Sequence, residues 1–231
     1  MKKLLFTLIV AMSFNTVTFA QYYANRHPKT KPHYVRNTYR YRNYSQQYYP
    51  TTYYGFRLGM GIATVHSDSP FLDASDPRIG LNTGFVIGTG LSRQAPLYFE
   101  TGLFYTEKGG KSTFQGDRFS YGLNYLEVPL VLKYRYYAGN GLTVEPFAGG
   151  YLAAGVGGKI KDFGQREAYD SFSDDPYGFK RFDGGLRLGF GLGIRSLYME
   201  ASYDIGLANI GHDDFNATRT GDLNLTLGVN F

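Results

Sequence analysis

The sequence predicts an all-β protein: an eight-stranded antiparallel transmembrane β-barrel carrying a disordered N-terminal extension. Three observations predict it. After residue 52, apolar residues alternate with glycine, polar or charged residues through most of the chain. The alternating segments number eight, each about the ten residues that a tilted strand needs to cross a bilayer. The connections between them are long and short by turns.

The chain starts with a stretch that reads as a secretory signal, residues 1–20. Lys2 and Lys3 supply the positive start, Leu4 to Met12 the apolar run, and Thr18-Phe19-Ala20 the small-residue end. The run is too short for a stable spanning helix. No Cys follows the cleavage site, and no later segment approaches twenty apolar residues. Neither a lipid anchor nor a helical membrane protein is therefore expected. With no Cys anywhere, disulfides and thiolate metal sites are excluded.

Residues 21–52 form a basic extension rich in Tyr and Arg. Arg26, Lys29, Lys31, Arg36, Arg40 and Arg42 occur there with no acidic residue, among eight tyrosines from Tyr22 to Tyr49. Aliphatic residues are nearly absent and no periodicity is visible, so the stretch is expected to be disordered. Arg with Tyr can bind an anionic polymer by charge and stacking. Cell-wall glycan, lipid head groups or a periplasmic protein fit that chemistry better than nucleic acid, and a solvated tail is the plainer reading. All 19 acidic residues follow residue 52, against 16 Lys plus Arg, so the remainder carries a net −3. The whole-chain charge of +5 belongs to the signal and the extension, and it is no argument for a nucleic-acid partner.

Residues 53–231 are expected to form the barrel. Strict alternation marks a strand whose two faces meet different surroundings. In the first segment Phe56, Leu58, Met60 and Ile62 alternate with glycines and Arg57. The second sets Phe85, Ile87 and Leu91 against Gly84, Gly88 and Gly90, and the third sets Leu97, Phe99, Leu103 and Tyr105 against Tyr98, Glu100 and Gly102. The fourth opposes Leu126, Val128, Leu130 and Leu132 to Glu127, Pro129 and Lys133. The fifth, Leu142 to Val156, is ambiguous in parity until Glu145 is taken as inward, which turns Val144, Ala148, Leu152 and Ala154 outward. The sixth opposes Phe182, Leu186, Leu188, Phe190, Leu192 and Ile194 to Asp183, Arg187 and glycines. The seventh opposes Leu197, Met199, Tyr203 and Ile205 to Tyr198, Glu200, Ser202 and Asp204. The last opposes Leu223, Leu225, Leu227, Val229 and Phe231 to Asn224, Thr226, Gly228 and Asn230.

A soluble sandwich buries its apolar face against a second sheet. A membrane barrel turns that face to lipid and keeps small or polar residues inside, where eight strands leave room for side chains and little else. The connections are expected at about 66–80, 92–96, 108–121, 136–141, 158–181, 195–196 and 208–221. Outer-membrane barrels have short periplasmic turns and long external loops. This order therefore places the protein in the outer membrane of a Gram-negative bacterium with a periplasmic N-terminus.

Several motifs carry a family resemblance: Glu100-Thr-Gly-Leu-Phe-Tyr105 with Lys108-Gly-Gly, Tyr125-Leu-Glu-Val-Pro-Leu-Val-Leu-Lys-Tyr134, Phe147-Ala-Gly-Gly-Tyr151, Asp183 to Gly193, and Tyr203 to Ile210. On these, the chain from Tyr53 to Phe231 resembles the PorT-like or porin-family outer-membrane β-barrel proteins. The resemblance implies a barrel with both termini periplasmic, and the namesake members are linked to a protein-secretion system. The extension lies outside the family pattern. The terminal Phe231 resembles the signal read by the barrel assembly machinery.

Candidate sites are few. Arg57, Glu100, Glu127, Lys133, Asp183, Arg187, Glu200 and Asp204 share the inward parity and form a lumen charge cluster. They line an ion path or neutralise one another as a plug, and the narrow lumen favours the plug. Arg57, Glu100, Lys133 and Glu200 are expected at one depth near the periplasmic side. His66 and His212, the latter followed by Asp213 and Asp214, raise a rim-site hydrolase, but no oxyanion donors can be named. Asp68, Asp73, Asp76, Asp170, Asp174 and Asp175 lack the spacing of an ordered calcium loop. Gly189-Phe-Gly-Leu-Gly193 lacks the strand-to-helix setting of a dinucleotide site. The expectation is a non-enzymatic barrel without cofactor or metal, structural or interactive in role, with a closed lumen. A narrow pore or a component of a transport or secretion system is the alternative.

Overall fold

The computed structural model describes residues 52–67, 76–92, 95–114, 117–162, 168–172, 178–211 and 218–231. The signal, nearly all of the extension and His212 to Asp214 lie outside them. Eleven strands are formed: β1 (Thr52–His66), β2 (Asp76–Gly90), β3 (Leu97–Phe114), β4 (Asp117–Tyr134), β5 (Tyr136–Gly139), β6 (Leu142–Gly157), β7 (Lys159–Asp162), β8 (Tyr169–Asp170), β9 (Phe182–Ile194), β10 (Leu197–Gly206) and β11 (Arg219–Asn230). Eight of them close a barrel in the order β1-β2-β3-β4-β6-β9-β10-β11, and β11 pairs antiparallel with β1. Closure leaves no open edge at barrel depth, as a membrane requires.

The side chains sort as the alternation predicts. Outward, Leu58, Met60, Phe85, Leu103, Leu132, Leu152, Leu188, Phe190, Leu225 and Leu227 are all exposed. This continuous apolar face would be an aggregation hazard in water and is the expected lipid contact. Tyr54, Tyr134, Tyr136 and Tyr137 fringe it at the end carrying both strand termini, and Tyr203 lies exposed toward the other, in the manner of interfacial aromatic girdles. In β6, Glu145 is buried while Leu152 is half exposed, which fixes the parity of the ambiguous segment.

At the end that holds the start of β1, the connections are short. The β9–β10 turn is Arg195-Ser196, and the β5–β6 turn runs through Gly139, Asn140 and Gly141, all at positive φ (93°, 53° and 78°). Three such residues in succession suit glycine and asparagine, which tolerate the left-handed region.

The opposite end departs from expectation. The connection expected at 108–121 is strand instead: β3 and β4 stay paired from Lys108↔Leu123 to Phe114↔Asp117. Outside the lipid band nothing demands apolar alternation, so the ladder continues on hydrogen bonds alone and its sequence pattern disappears. For the same reason β2 starts at Asp76 rather than near 81, and β11 at Arg219 rather than near 222. The 158–181 connection holds β7 and β8, with β7 extending the sheet beside β4.

Candidate functional site

The lumen is the place where chemistry-bearing side chains converge. Inward glycines make the space. A Cβ on Gly191 would overlap the Tyr198 hydroxyl, and one on Gly189 would overlap the Phe147 ring. Each small residue on one strand thus admits a large residue from its neighbour.

The eight charges singled out from the sequence fall into two groups by direct contact. In the group nearer the strand termini, Lys133 Nζ pairs with Glu100 Oε1 at 2.9 Å and Glu200 Oε2 at 3.6 Å. It also donates a hydrogen bond to the Tyr198 hydroxyl at 2.7 Å. Arg57 Nη2 lies 3.9 Å from Glu100 Oε2, and its guanidinium stacks 4.1 Å over the Tyr198 ring. The Tyr53 hydroxyl donates to Glu100 Oε2. In the deeper group, Arg187 grips Asp204 through two hydrogen bonds of 2.6 Å and meets Glu127 Oε1 at 2.5 Å. The two-pronged contact matches guanidinium to carboxylate geometry. Asp183 joins through Lys108, whose Nζ is 3.3 Å from both Glu127 and Asp183 and 4.5 Å from the Tyr151 ring.

Sequence reasoning missed four charged participants. Lys108 lay just past the assigned end of its strand, although it continues the parity of Glu100 and Phe104. Arg135, two residues beyond Lys133, pairs with Glu145 at 2.6 Å between the rings of Tyr53 and Tyr98, and closes the mouth at the terminal end. Glu145 had served only as a parity marker. Asp222, one residue before the first alternating apolar residue Leu223, is fully buried directly across from Asp204. Among the described residues neither of its carboxylate oxygens receives a hydrogen bond.

The other mouth is closed by an apolar cap that the alternation could not reveal. Phe172, Phe179 and Ile210, from the connections, pack with Ile160, Val65, Tyr121, Leu123 and Tyr125. Phe172 stacks edge-on against Tyr125 at 5.5 Å and is held by Arg181, which donates to the Phe172 and Gly155 carbonyls. From one mouth to the other, then, the interior holds an aromatic-flanked ion pair, two charge groups and an apolar cap. Among the described residues no three acidic or histidine side chains are grouped to hold a metal. His66 is exposed at the end of β1.

A closed barrel with an apolar exterior and a polar, filled interior is the signature of one membrane class. Residues 19–211 match the family model described as outer membrane protein beta-barrel domain. The chain belongs to that family. Its membership locates the protein in the outer membrane. Among solved structures, Neisserial surface protein A aligns over 78% of this chain and 96% of its own at 15% identity, with a TM-score of 0.43. OprG of Pseudomonas aeruginosa aligns over 80% and 98% at 12% identity and 0.45. Ail, the attachment invasion locus protein of Yersinia pestis, aligns over 79% and 100% at 16% identity and 0.42. No curated protein matches the sequence.

Proposed function

We propose that this outer-membrane barrel is a closed, non-enzymatic scaffold that acts through its surfaces, with both termini in the periplasm and the β3–β4 end outside the cell. The filled lumen carries this reading. Arg57, Lys108, Lys133, Tyr98, Tyr125, Tyr151 and Tyr198 are all under 2% exposed inside the barrel. Two charge groups whose cations are each held by carboxylates, and caps at both mouths, leave solutes no path through these side chains. The charges hold one another rather than a passing ion, because a buried charge without its partner is costly.

Within the family, the Tyr125–Tyr134 segment supports a PorT-like assignment, and its Glu127 and Lys133 anchor the two charge groups. Residues 21–52 are then a periplasmic contact surface for cell-wall glycan or a protein partner. Phe231, exposed and hydrogen-bonded through its backbone to Tyr54 at 2.9 Å in both directions, is offered to the assembly machinery.

Planar-bilayer recording of the purified full-length protein tests the closed lumen. The expected trace is free of stable channel events, and a reproducible large conductance supports the pore alternative instead. Deleting residues 21–50 is expected to lower retention on isolated cell wall without disturbing the barrel. Unchanged retention removes the contact role of the extension.

A further inference from the structure

The outer surface of the β3–β4 extension carries a concave, basic groove that the closed-barrel reading leaves without a role. It encloses about 930 Å³ and is lined by Arg78, Ile79, Lys111, Ser120, Lys159 and Lys161, among others. The register explains the cluster. Ser120 on β4 pairs with Lys111 of β3 on one side and Lys161 of β7 on the other. Directly paired residues project to the same face, so the two ammonium groups flank one serine across three strands, about 10 Å apart at the backbone. Ile160 is buried in the apolar cap, which turns Lys159 and Lys161 outward, and Lys111, Lys159 and Lys161 are all exposed.

None of these three lysines makes an ion pair among the described residues, although Asp76 lies across from Lys111 and Asp170 across from Lys159. The nearby carboxylates are fewer than the cations, and two of them accept hydrogen bonds elsewhere. Asp170 Oδ1 accepts from the Phe172 amide, and Glu107 accepts from the Leu81 amide and the Tyr105 hydroxyl. The lining sets Arg78, Lys111, Lys159 and Lys161 against the one carboxylate of Asp170, so the groove presents an excess of positive charge. Its floor is continuous with the lipid-facing band, because Ile79, in the groove wall, and Leu81 and Leu126, next along the strands, are all exposed. The charge thus sits where acyl chains end and head groups begin.

We infer that this groove binds the phosphorylated head group of an outer-leaflet glycolipid, whose acyl chains lie on Ile79, Leu81 and Leu126. Charge complementarity selects phosphate, and continuity with the apolar band selects a lipid over a soluble anion. The inference rests on the external placement of the β3–β4 end, but lipid retention in detergent does not depend on orientation, so the two can fail separately.

The test compares the full-length protein in neutral detergent micelles with its Lys111→Gln/Lys159→Gln/Lys161→Gln variant, using native mass spectrometry to count bound lipid. The probes are bisphosphorylated lipid A, the same lipid with both phosphates removed, and glucosamine 1-phosphate as soluble competitor. The wild-type protein is expected to retain the phosphorylated lipid selectively. The triple variant should lose about 100-fold in affinity, at roughly fivefold for each charge removed. All three substitutions are on exposed side chains, and heat-modifiable gel mobility verifies that the barrel still forms. A Lys111→Arg/Lys159→Arg/Lys161→Arg variant should restore retention. Equal retention of both lipids, indifference to the triple substitution, or displacement by the soluble phosphosugar as effective as by the lipid would each overturn the proposal.

Discussion

Two buried carboxylates in the deeper charge group make opposite predictions on removal of their charge. Glu127 faces both Arg187 and Lys108, at 2.5 and 3.3 Å. Glu127→Gln removes the carboxylate that bridges these two cations, leaving Asp204 to Arg187 and Asp183 to Lys108, and losing charged hydrogen bonds of this kind costs about 1.5–3 kcal/mol. Asp222 is equally buried but receives no hydrogen bond among the described residues and stands opposite Asp204. Asp222→Asn removes a like-charge contact and an unpaired charge, and should stabilise by about 1–3 kcal/mol. Urea titration of folding into lipid vesicles reads both. The midpoint should fall for the first variant and rise for the second. A fall of similar size in both would mean that Asp222 is held by a partner such as buried water.

Each strand separates two environments, and this is testable by depth along one of them. Leu225 on β11 lies beside Met60 and Ala201 in the centre of the apolar face, whereas Val229 lies beside Phe56 and Leu197 near the terminal end. Leu225→Arg should destabilise the folded barrel by about 2–4 kcal/mol and Val229→Arg by at most about 1 kcal/mol, the depth dependence of a cation facing lipid. Equal costs in a vesicle refolding titration would remove Leu225 from the bilayer midplane. The same two environments explain what could be read in advance. Lipid outside and a tight polar lumen inside impose a strict alternation, so Leu58, Leu188 and Leu225 announced their strands, and Glu145 was enough to set the parity of β6. Where a strand leaves the bilayer the constraint lapses. Lys108, Arg135 and Asp222 continue the inward parity of their strands one to three positions beyond the last apolar neighbour, where the alternation gives no signal. Phe172, Phe179 and Ile210 belong to the connections, and their burial depends on the barrel mouth that they cover. No local pattern can record that.

At the scale of the molecule, the proposed orientation rests on how the barrel closes. Both strand termini meet at one end, where Tyr54 and Phe231 exchange backbone hydrogen bonds of 2.9 Å and the β9–β10 turn needs only Arg195 and Ser196. The other end carries the β3–β4 extension and the long connection with β7 and β8. A barrel inserted from the periplasm keeps its short turns on that side and sends its longer segments across. The chain contains no Cys, so a single introduced thiol reports its own location without background. Lys161→Cys, exposed on β7, should react with a membrane-impermeant maleimide in intact cells. Ser196→Cys, exposed in the β9–β10 turn, should react only after the outer membrane is permeabilised. Labelling of Ser196→Cys in intact cells, with Lys161→Cys protected, would reverse the barrel and place the basic groove against the periplasmic leaflet. Comparable labelling of both before permeabilisation would mean that the chain does not span the membrane at all.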